Sequence, residues 1–521
     1  MKLQIFDSTL RDGAQGANIS FSVEDKIKVI HTLDALGVDF IEAGNPFSNP
    51  AEMQFFQRIA GLRLAHAKIV AFGSTRRKNT AAAEDGNLRS LLAAGTEYVA
   101  IFGKSHIRHV TDVIKADPAE NLAMIGESVR FLTEHGKKVI FDAEHFFDGY
   151  KADADYAMRA LESAAQAGAV TLCLCDTNGG IFPDEAYSVT KAVVQRFPGI
   201  AVAIHCHNDG GLAVADSIAA VQAGAKQVQG TLLGFGERCG NANLCSIICN
   251  LQLKRGYECI PPDRLKEMYG CAMTLAETAN AAIPPNQPYV GMNAFAHKAG
   301  MHADGVLKYS SSFEHVDPES IGNKRKFLLS EISGKSAIYD KLKNYFPALD
   351  KNGKEMGEIV SALKDRALAG YQYEAAEASF VLLVEKILGK YKNSFDLISY
   401  KIISEQPAIE GKVASAIVKI RVNGATKIAA ADGEGPVHAM DLALRSALAD
   451  FYPAIARMSL VDFKVRVLDS DKATAAKVRV LITSAGSADS WTTVGVSDDV
   501  IEASWIALTD SIDYALMRRG G

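Results

Sequence analysis

Residues 201–209 read "AVAIHCHND", an apolar run that closes on two histidines spaced by one cysteine and leads into Gly210-Gly211. As a β-strand, whose side chains alternate between faces, the run sends His205 and His207 to one side and Cys206 to the other. Two imidazoles on one face make half a metal site; the plainer reading is a polar finish to a strand. The run is the seventh of eight. The others are "LQIFDST" (3–9), "DFIEAG" (39–44), "KIVAFGS" (68–74), "YVAIFGKS" (98–105), "KVIFDAEH" (138–145), "VTLCLCDTN" (170–178) and "QVQGTLLGFG" (227–236). Between them lie segments with helical spacing. Ser22, with Asp25 three residues on, opens one helix that Gly37 stops, and another ends at Gly168. Eight β-then-α units over about 250 residues are the pattern of an α/β fold of the (β/α)8 barrel type, with a doubly wound open sheet as the alternative.

In a barrel the active site lies where the strands end. Polar residues gather there: Asp7, Arg11 and Asp12 after the first run, Glu42 and Asn45 at the second, then Ser74, Lys104, Glu144, Asp176 and Thr177, and the two histidines. The segment "TLRDGAQ" puts Arg11, Asp12 and Gln15 on the first loop. Closure of the barrel brings strand eight beside strand one, so Asp12 can join His205 and His207 as a third ligand. Two imidazoles, a carboxylate and open positions suit a divalent ion that also holds substrate oxygens. "GFGERCGNAN" (234–243) offers Asn241 as an oxygen ligand; its glycines do not follow a phosphate-loop pattern. Arg11 stands where it can neutralise charge developing on a carbonyl oxygen, unless it forms only a local ion pair with Asp12.

With 521 residues and 48% hydrophobic content the chain holds more than one core. A net charge of −5 and no basic run longer than "KRK" (324–326) exclude an electrostatic binder of nucleic acid or anionic membranes. No stretch reads as a spanning helix or signal peptide, so a cytoplasmic location is expected. All eight cysteines fall between Cys173 and Cys271 and are expected to be reduced, buried small residues.

The barrel is expected over 1–275 and a mainly helical linker region over 276–404. From 405 to 521 an α+β domain is expected in which residues 415–448 and 475–508 both read as strands, a turn and a helix. Val437 aligns with Val500, so the βββα unit is duplicated.

"LRDGAQ", "HCHNDGGLAVA" and "GFGERCGNAN" resemble the signatures of the 2-isopropylmalate, homocitrate and citramalate synthases of the DRE-TIM metallolyase superfamily, over essentially the whole chain. "FSVEDK", "FGSTRRK", "FDAEHFFDGYK", "NAFAHKAGMHADGVLK" and "HVDPESIGNKR" look most like the citramalate synthase branch. The resemblance implies an acyltransferase reaction, a Claisen-type condensation of acetyl-CoA with a small 2-oxoacid: pyruvate in the citramalate branch, 2-oxoisovalerate or 2-oxoglutarate in the alternatives. It implies Asp12, His205, His207 and Asn241 as ligands of Mg2+ or Mn2+, with Zn2+ as a further candidate. Arg11, Gln15, Thr177 and Asp304 would bind substrate, and Arg11, Glu144 and His302 would be catalytic. It further implies a homodimer whose C-terminal domain is regulated by an amino acid, isoleucine or leucine.

Phe313 stands where such proteins commonly have Tyr, with Tyr309 nearby, and His297 reads as structural. Phe102 and Phe141 are candidates for the wall that selects the 2-oxoacid. A carbon–carbon lyase of the same superfamily is the alternative from a different class, with Cys239 as its thiol.

Overall fold

The computed structural model describes residues 1–298, 300–327, 335–409, 411–468, 476–486 and 489–519. Strands β1 (Gln4–Asp7), β2 (Phe40–Gly44), β3 (Lys68–Ser74), β4 (Tyr98–Lys104), β5 (Lys138–Glu144), β6 (Thr171–Asp176), β7 (Ala201–Cys206) and β8 (Gln227–Gly230) form one closed parallel barrel. Each of the eight apolar runs supplies one of them. Closure is set by β1 against β8, with Gln4 opposite Gln227 and Asp7 opposite Gly230. The open-sheet alternative is thereby excluded.

Strand alternation divides the side chains into two cores. Phe6, Phe40, Val70, Ala100 and Ile140 fill the barrel interior, with Cys173, Cys175 and Ala203 forming a further inner cluster. Their neighbours in sequence, among them Ile5, Ile41, Ala71, Val99, Ile101, Phe141, Leu172 and Ile204, pack outward in the large core beneath the helices. The local signals act as read. Ser22 Oγ accepts from the Asp25 backbone N–H at 3.1 Å and Asp25 accepts from the Ser22 N–H at 3.0 Å, and Gly37 ends that helix at φ +93°.

The chain divides into two compact units, Met1–Phe295 with His315–Arg325, and Ala296–Glu314 with Lys326–Gly521. The break expected at 275/276 falls within the helix Met268–Thr278, and the one at 404/405 within a long strand beginning at Asp396. The apolar spacing of Met268, Cys271, Ala272 and Leu275 packs that helix on the barrel core, so the first unit runs on past it.

The second unit holds short paired strands β9 (Ala296–His297) and β10 (Lys326–Phe327) and the helices Gly300–Lys308, Lys335–Leu342, Lys354–Leu368 and Glu377–Ile387. Two antiparallel three-stranded sheets follow: β11 (Asp396–Ile409), β12 (Lys412–Val422), β13 (Ala425–Gly433), and β14 (Ser459–Val467), β15 (Val478–Ala485), β16 (Ser490–Ser497). Each leads into one helix, Pro436–Leu448 or Val500–Arg519, so the duplicated βββα unit is present. One core joins them through Val418, Ile420, Met440, Leu444, Ile482 and Leu508. The opposite faces expose Ile403, Ile417 and Ile428 on the first sheet and Val461, Val465 and Val467 on the second. Among the described residues no helix is long and apolar enough to cross a membrane.

Candidate active site

A cavity of about 280 Å³ opens at the strand ends, lined by Arg11, Asp12, Gln15, Glu144, Thr177, His205 and His207 among others. Arg11 is held on three sides. Its Nε donates to Glu42 at 2.7 Å, its Nη1 to Asp12 at 2.7 Å, and its guanidinium lies 3.8 Å from the centre of the Phe72 ring. The Ser8 hydroxyl donates to the same Glu42 oxygen at 2.5 Å. Burial opposes the charge on Arg11, but Glu42 and Asp12 outweigh it and hold the guanidinium firmly protonated. Burial alone would raise the Asp12 carboxyl; Arg11 and the two imidazoles hold it well below the usual range instead.

Asp12, His205 and His207, all buried, each offer one ligand atom, and these lie within 4.8 Å of one another. The His205 Nδ1–H donates to Gln229 Oε1 at 3.1 Å, which leaves Nε2 facing Asp12 Oδ2 at 3.6 Å. Gln229 is itself oriented by giving its Nε2 to Asp142 and Gln227, both at 3.4 Å. This is the outer support that fixes a ligand imidazole. Burial, then the neighbouring His205, lowers the His207 imidazole to about 4, keeping it neutral as a ligand must be.

Asn241 spends its amide N–H groups on Asp12 (3.1 Å) and the Phe235 carbonyl (2.9 Å). Among the described residues its Oδ1 and His207 Nδ1 are buried without a partner. Orphaned donors to a cation beside a carboxylate fit a divalent ion. Gly236 makes room for Asn241, since a Cβ there would lie 2.2 Å from Nδ2. That close approach, rather than a phosphate, explains the glycine-rich loop.

Thr177 accepts the His145 backbone N–H at 2.8 Å, leaving its own O–H free to donate into the cavity. Glu144 is ion-paired with Lys104. Phe102 lines the cavity, stacked on Phe72 at 5.7 Å, whereas Phe141 faces the outer core and is no part of it. Strand parity decides: residue 141 is one step out of phase with Glu144's inward set. The same count identifies Phe72 and Asp142 as cavity residues, two positions before Ser74 and Glu144, so strand parity is the sequence signal that marks them. Burial, and then the charge of Glu42, push the Asp142 carboxyl up to about 7 against the pull of Arg11.

Glu237 and Arg238 also line the cavity, with Arg238 Nε and Nη2 on the Asp209 carboxylate at 2.8 and 3.0 Å. All eight cysteines are free and seven are buried; Cys239 is exposed, because it sits on the same outer loop as Arg238. In the second unit, His302 stacks on Phe313 at 4.2 Å, Asp304 pairs with Lys308 at 2.6 Å, and His297 Nε2 meets Glu314 Oε1 at 3.0 Å.

Inward carboxylates, an arginine clamp and an imidazole pair at one end of a closed barrel define a (β/α)8 enzyme, and residues 2–268 match the HMGL-like family. Residues 289–370 match the homocitrate synthase post-HMGL domain-like family, and residues 374–516 the LeuA allosteric (dimerisation) domain. The chain belongs to the (R)-citramalate synthase family. It is 48% identical to the (R)-citramalate synthase of Aquifex aeolicus over 99% of this chain and 98% of the relative. It is 44% identical to that of Synechocystis sp. over 99% and 96%. The 2-isopropylmalate synthase of Pyrococcus furiosus is more distant, at 31% over 96% and 97%.

Proposed function

We propose that this protein condenses acetyl-CoA with pyruvate and water to give (R)-citramalate and free CoA, the entry into isoleucine synthesis from pyruvate. The full-length likeness to (R)-citramalate synthases carries this reading, and the arginine-clamped cavity supports it. A divalent ion held by Asp12, His205, His207 and Asn241, Mg2+ or Mn2+ by the hard oxygen donors with Zn2+ as a further candidate, supplies Lewis-acid polarisation of a carbonyl when bound.

The chain's own residues do the rest. Arg11 has its Nη2 free of partners among the described residues, and it donates to the 2-oxoacid oxygens where negative charge grows as the new carbon–carbon bond forms. The Thr177 O–H and Gln15 hold the 2-oxoacid carboxylate. Glu144 moves a proton in the cavity: a methyl proton leaves the acetyl group, the resulting carbon attacks the ketone of pyruvate, and water then cleaves the thioester to release CoA. We assign His302 to proton transfer and Asp304 to substrate binding from the resemblance of "HKAGMHAD". The lyase alternative needs a cavity thiol at Cys239, and Cys239 is not among the lining residues.

The small cavity and its Phe72–Phe102 wall favour pyruvate over longer 2-oxoacids. Parallel turnover of pyruvate, 2-oxobutyrate and 2-oxoisovalerate tests this, and Phe102→Ala should raise kcat/KM for 2-oxobutyrate relative to pyruvate by about 10-fold or more. An unchanged ratio removes Phe102 from selection, and preference for 2-oxoisovalerate in the parent overturns the reading.

The exposed apolar faces of both C-terminal sheets support a homodimer through this domain, with isoleucine, or leucine in the alternative, as effector. The double variant Ile417→Asp/Val465→Asp should sediment as a monomer and lose inhibition by the effector. A dimer with intact inhibition would place both functions elsewhere.

A further inference from the structure

Strand β6 reads "TLCLCD" (171–176), and its two cysteines stand two positions apart, so both face the barrel interior. The strand ladders fix their neighbours. Cys173 is in register with Asp142 of β5 on one side and Ala203 of β7 on the other, while Cys175 is in register with His205. The Cys173 thiol hydrogen-bonds both the Asp142 carboxyl group and the Cys175 sulfur. One ligand atom each from Asp142, Cys173 and Cys175 lies within 4.8 Å of the others. Two sulfurs on one tetrahedral ion stand about 3.8 Å apart, given bonds of about 2.3 Å, so the donors close on an ion by moving about 1 Å or less.

The surroundings favour a cation at this point. Asp142 lies near the Glu42 carboxylate, which is fully buried and has one oxygen without a partner among the described residues. Arg11 faces Glu42, Asp12 and Asp142 together, one cation against three carboxylates. Asp142 and Cys175 line the reaction cavity, which gives an ion its way in, and Cys173 is fully buried behind them. Two thiols and a carboxyl group, short of positive charge and reachable from one side, make a donor set for a soft divalent ion.

We propose that Asp142, Cys173 and Cys175 form a second metal site, selective for a thiophilic divalent ion such as Zn2+ or Cd2+, and that filling it inhibits the enzyme. Binding breaks two S–H bonds, forms two metal–sulfur bonds and releases two protons, while Asp142 supplies an oxygen. Inhibition follows from what Asp142 gives up. Its Oδ1 accepts from Gln229 Nε2 at 3.4 Å, and Gln229 in turn accepts from His205 Nδ1 at 3.1 Å. Drawn onto the ion, Asp142 lets go of the amide that orients His205. The inhibition rests on the reading of the protein as an enzyme, and the metal site does not.

The test is a Cd2+ titration of the full-length protein in saturating Mg2+. A thiolate-to-metal charge-transfer band should grow in the ultraviolet with release of two protons per ion, and turnover should fall at least about 10-fold as the band saturates. The double variant Cys173→Ser/Cys175→Ser should keep basal turnover, lose the band and need at least about 100-fold more Cd2+ for the same inhibition. Each single serine variant should bind more weakly than the parent. Asp12→Ala should keep the band, and Cys239→Ser, which removes the exposed thiol, should keep both band and inhibition.

No band in the parent, or an equal band in the double variant, overturns the site. Inhibition that added Mg2+ relieves equally in parent and double variant assigns Cd2+ to the Asp12, His205 and His207 set and overturns it as well. A saturated band with unchanged turnover overturns the inhibitory role. A parent that shows the band and the proton release but condenses no acetyl-CoA with pyruvate overturns the functional reading instead, and the site stands.

Discussion

Replacing Arg11 by lysine is expected to lower kcat by about 100-fold or more, because a lysine keeps the charge and loses the planar fork. The geometry says why one charge is not enough. Arg11 contacts Glu42 and Asp12 through different nitrogens, both at 2.7 Å, and presents a further nitrogen to the cavity. A single ammonium reaches one of these targets and abandons the others.

The variant is also expected to lose stability. Glu42 is fully buried, and one of its oxygens already has no partner among the described residues. Weakening its remaining ion pair costs about 1–3 kcal/mol, so the melting temperature should fall together with the rate. The two effects separate in the double variant Arg11→Lys/Glu42→Gln, which removes the buried charge that needs neutralising. There the melting temperature should recover and the rate should not. Recovery of both would make Arg11 a structural counter-ion only.

The barrel was legible because its signal is local and repeated: each strand is a short β-branched run, and each run stops at a polar or glycine-rich turn. Topology then turns strand ends into neighbours, which is how Asp12 and the histidines, nearly 200 residues apart in sequence, meet at one site. Less legible is what lies one step further back along the same strands. Phe72 and Asp142 look like core residues until inward parity is counted from the strand end, and Phe141, the neighbour of Asp142, fails by the same count.

Glu42 is visible as a strand-end carboxylate, but its role as the anchor of Arg11 depends on a contact between strand β2 and the loop after β1 that no local pattern encodes. The start of the C-terminal sheets is hidden for a related reason. A cut near residue 400 falls inside β11, and it removes Val494, Val496 and Tyr514 from a core they share with Ile359, Phe380 and Val384. Truncation there damages the helical segment as well as the regulatory domain, so point changes on the outward sheet faces are the cleaner probe of regulation.

Exhaustive removal of divalent ions is expected to abolish turnover, a loss of at least about 1,000-fold, because polarisation of a carbonyl is worth several kcal/mol of the barrier. Mg2+ or Mn2+ should restore it. Activity alone does not locate the ion, but stability does. A ligand that binds only the folded protein stabilises it by about 2.7 kcal/mol at a concentration 100 times its Kd, so the stripped protein should melt lower and recover on titration. Asp12→Ala should erase both responses, since it removes the one carboxylate of the set.

A second group of buried donors, Asp142, Cys173 and Cys175, provides the internal contrast. Burial pushes the Cys173 thiol well up, and the Cys175 thiol, which a hydrogen bond with Cys173 lowers while burial and nearby carboxylates raise it, also ends above its usual value; thiolate ligands suit soft ions rather than Mg2+. A Mg2+-dependent rise in melting temperature that disappears in Asp12→Ala therefore assigns the ion to the Asp12, His205 and His207 set. A rise that survives in that variant places it elsewhere, and full turnover by the stripped protein with no change in melting temperature removes the metal from the reaction altogether.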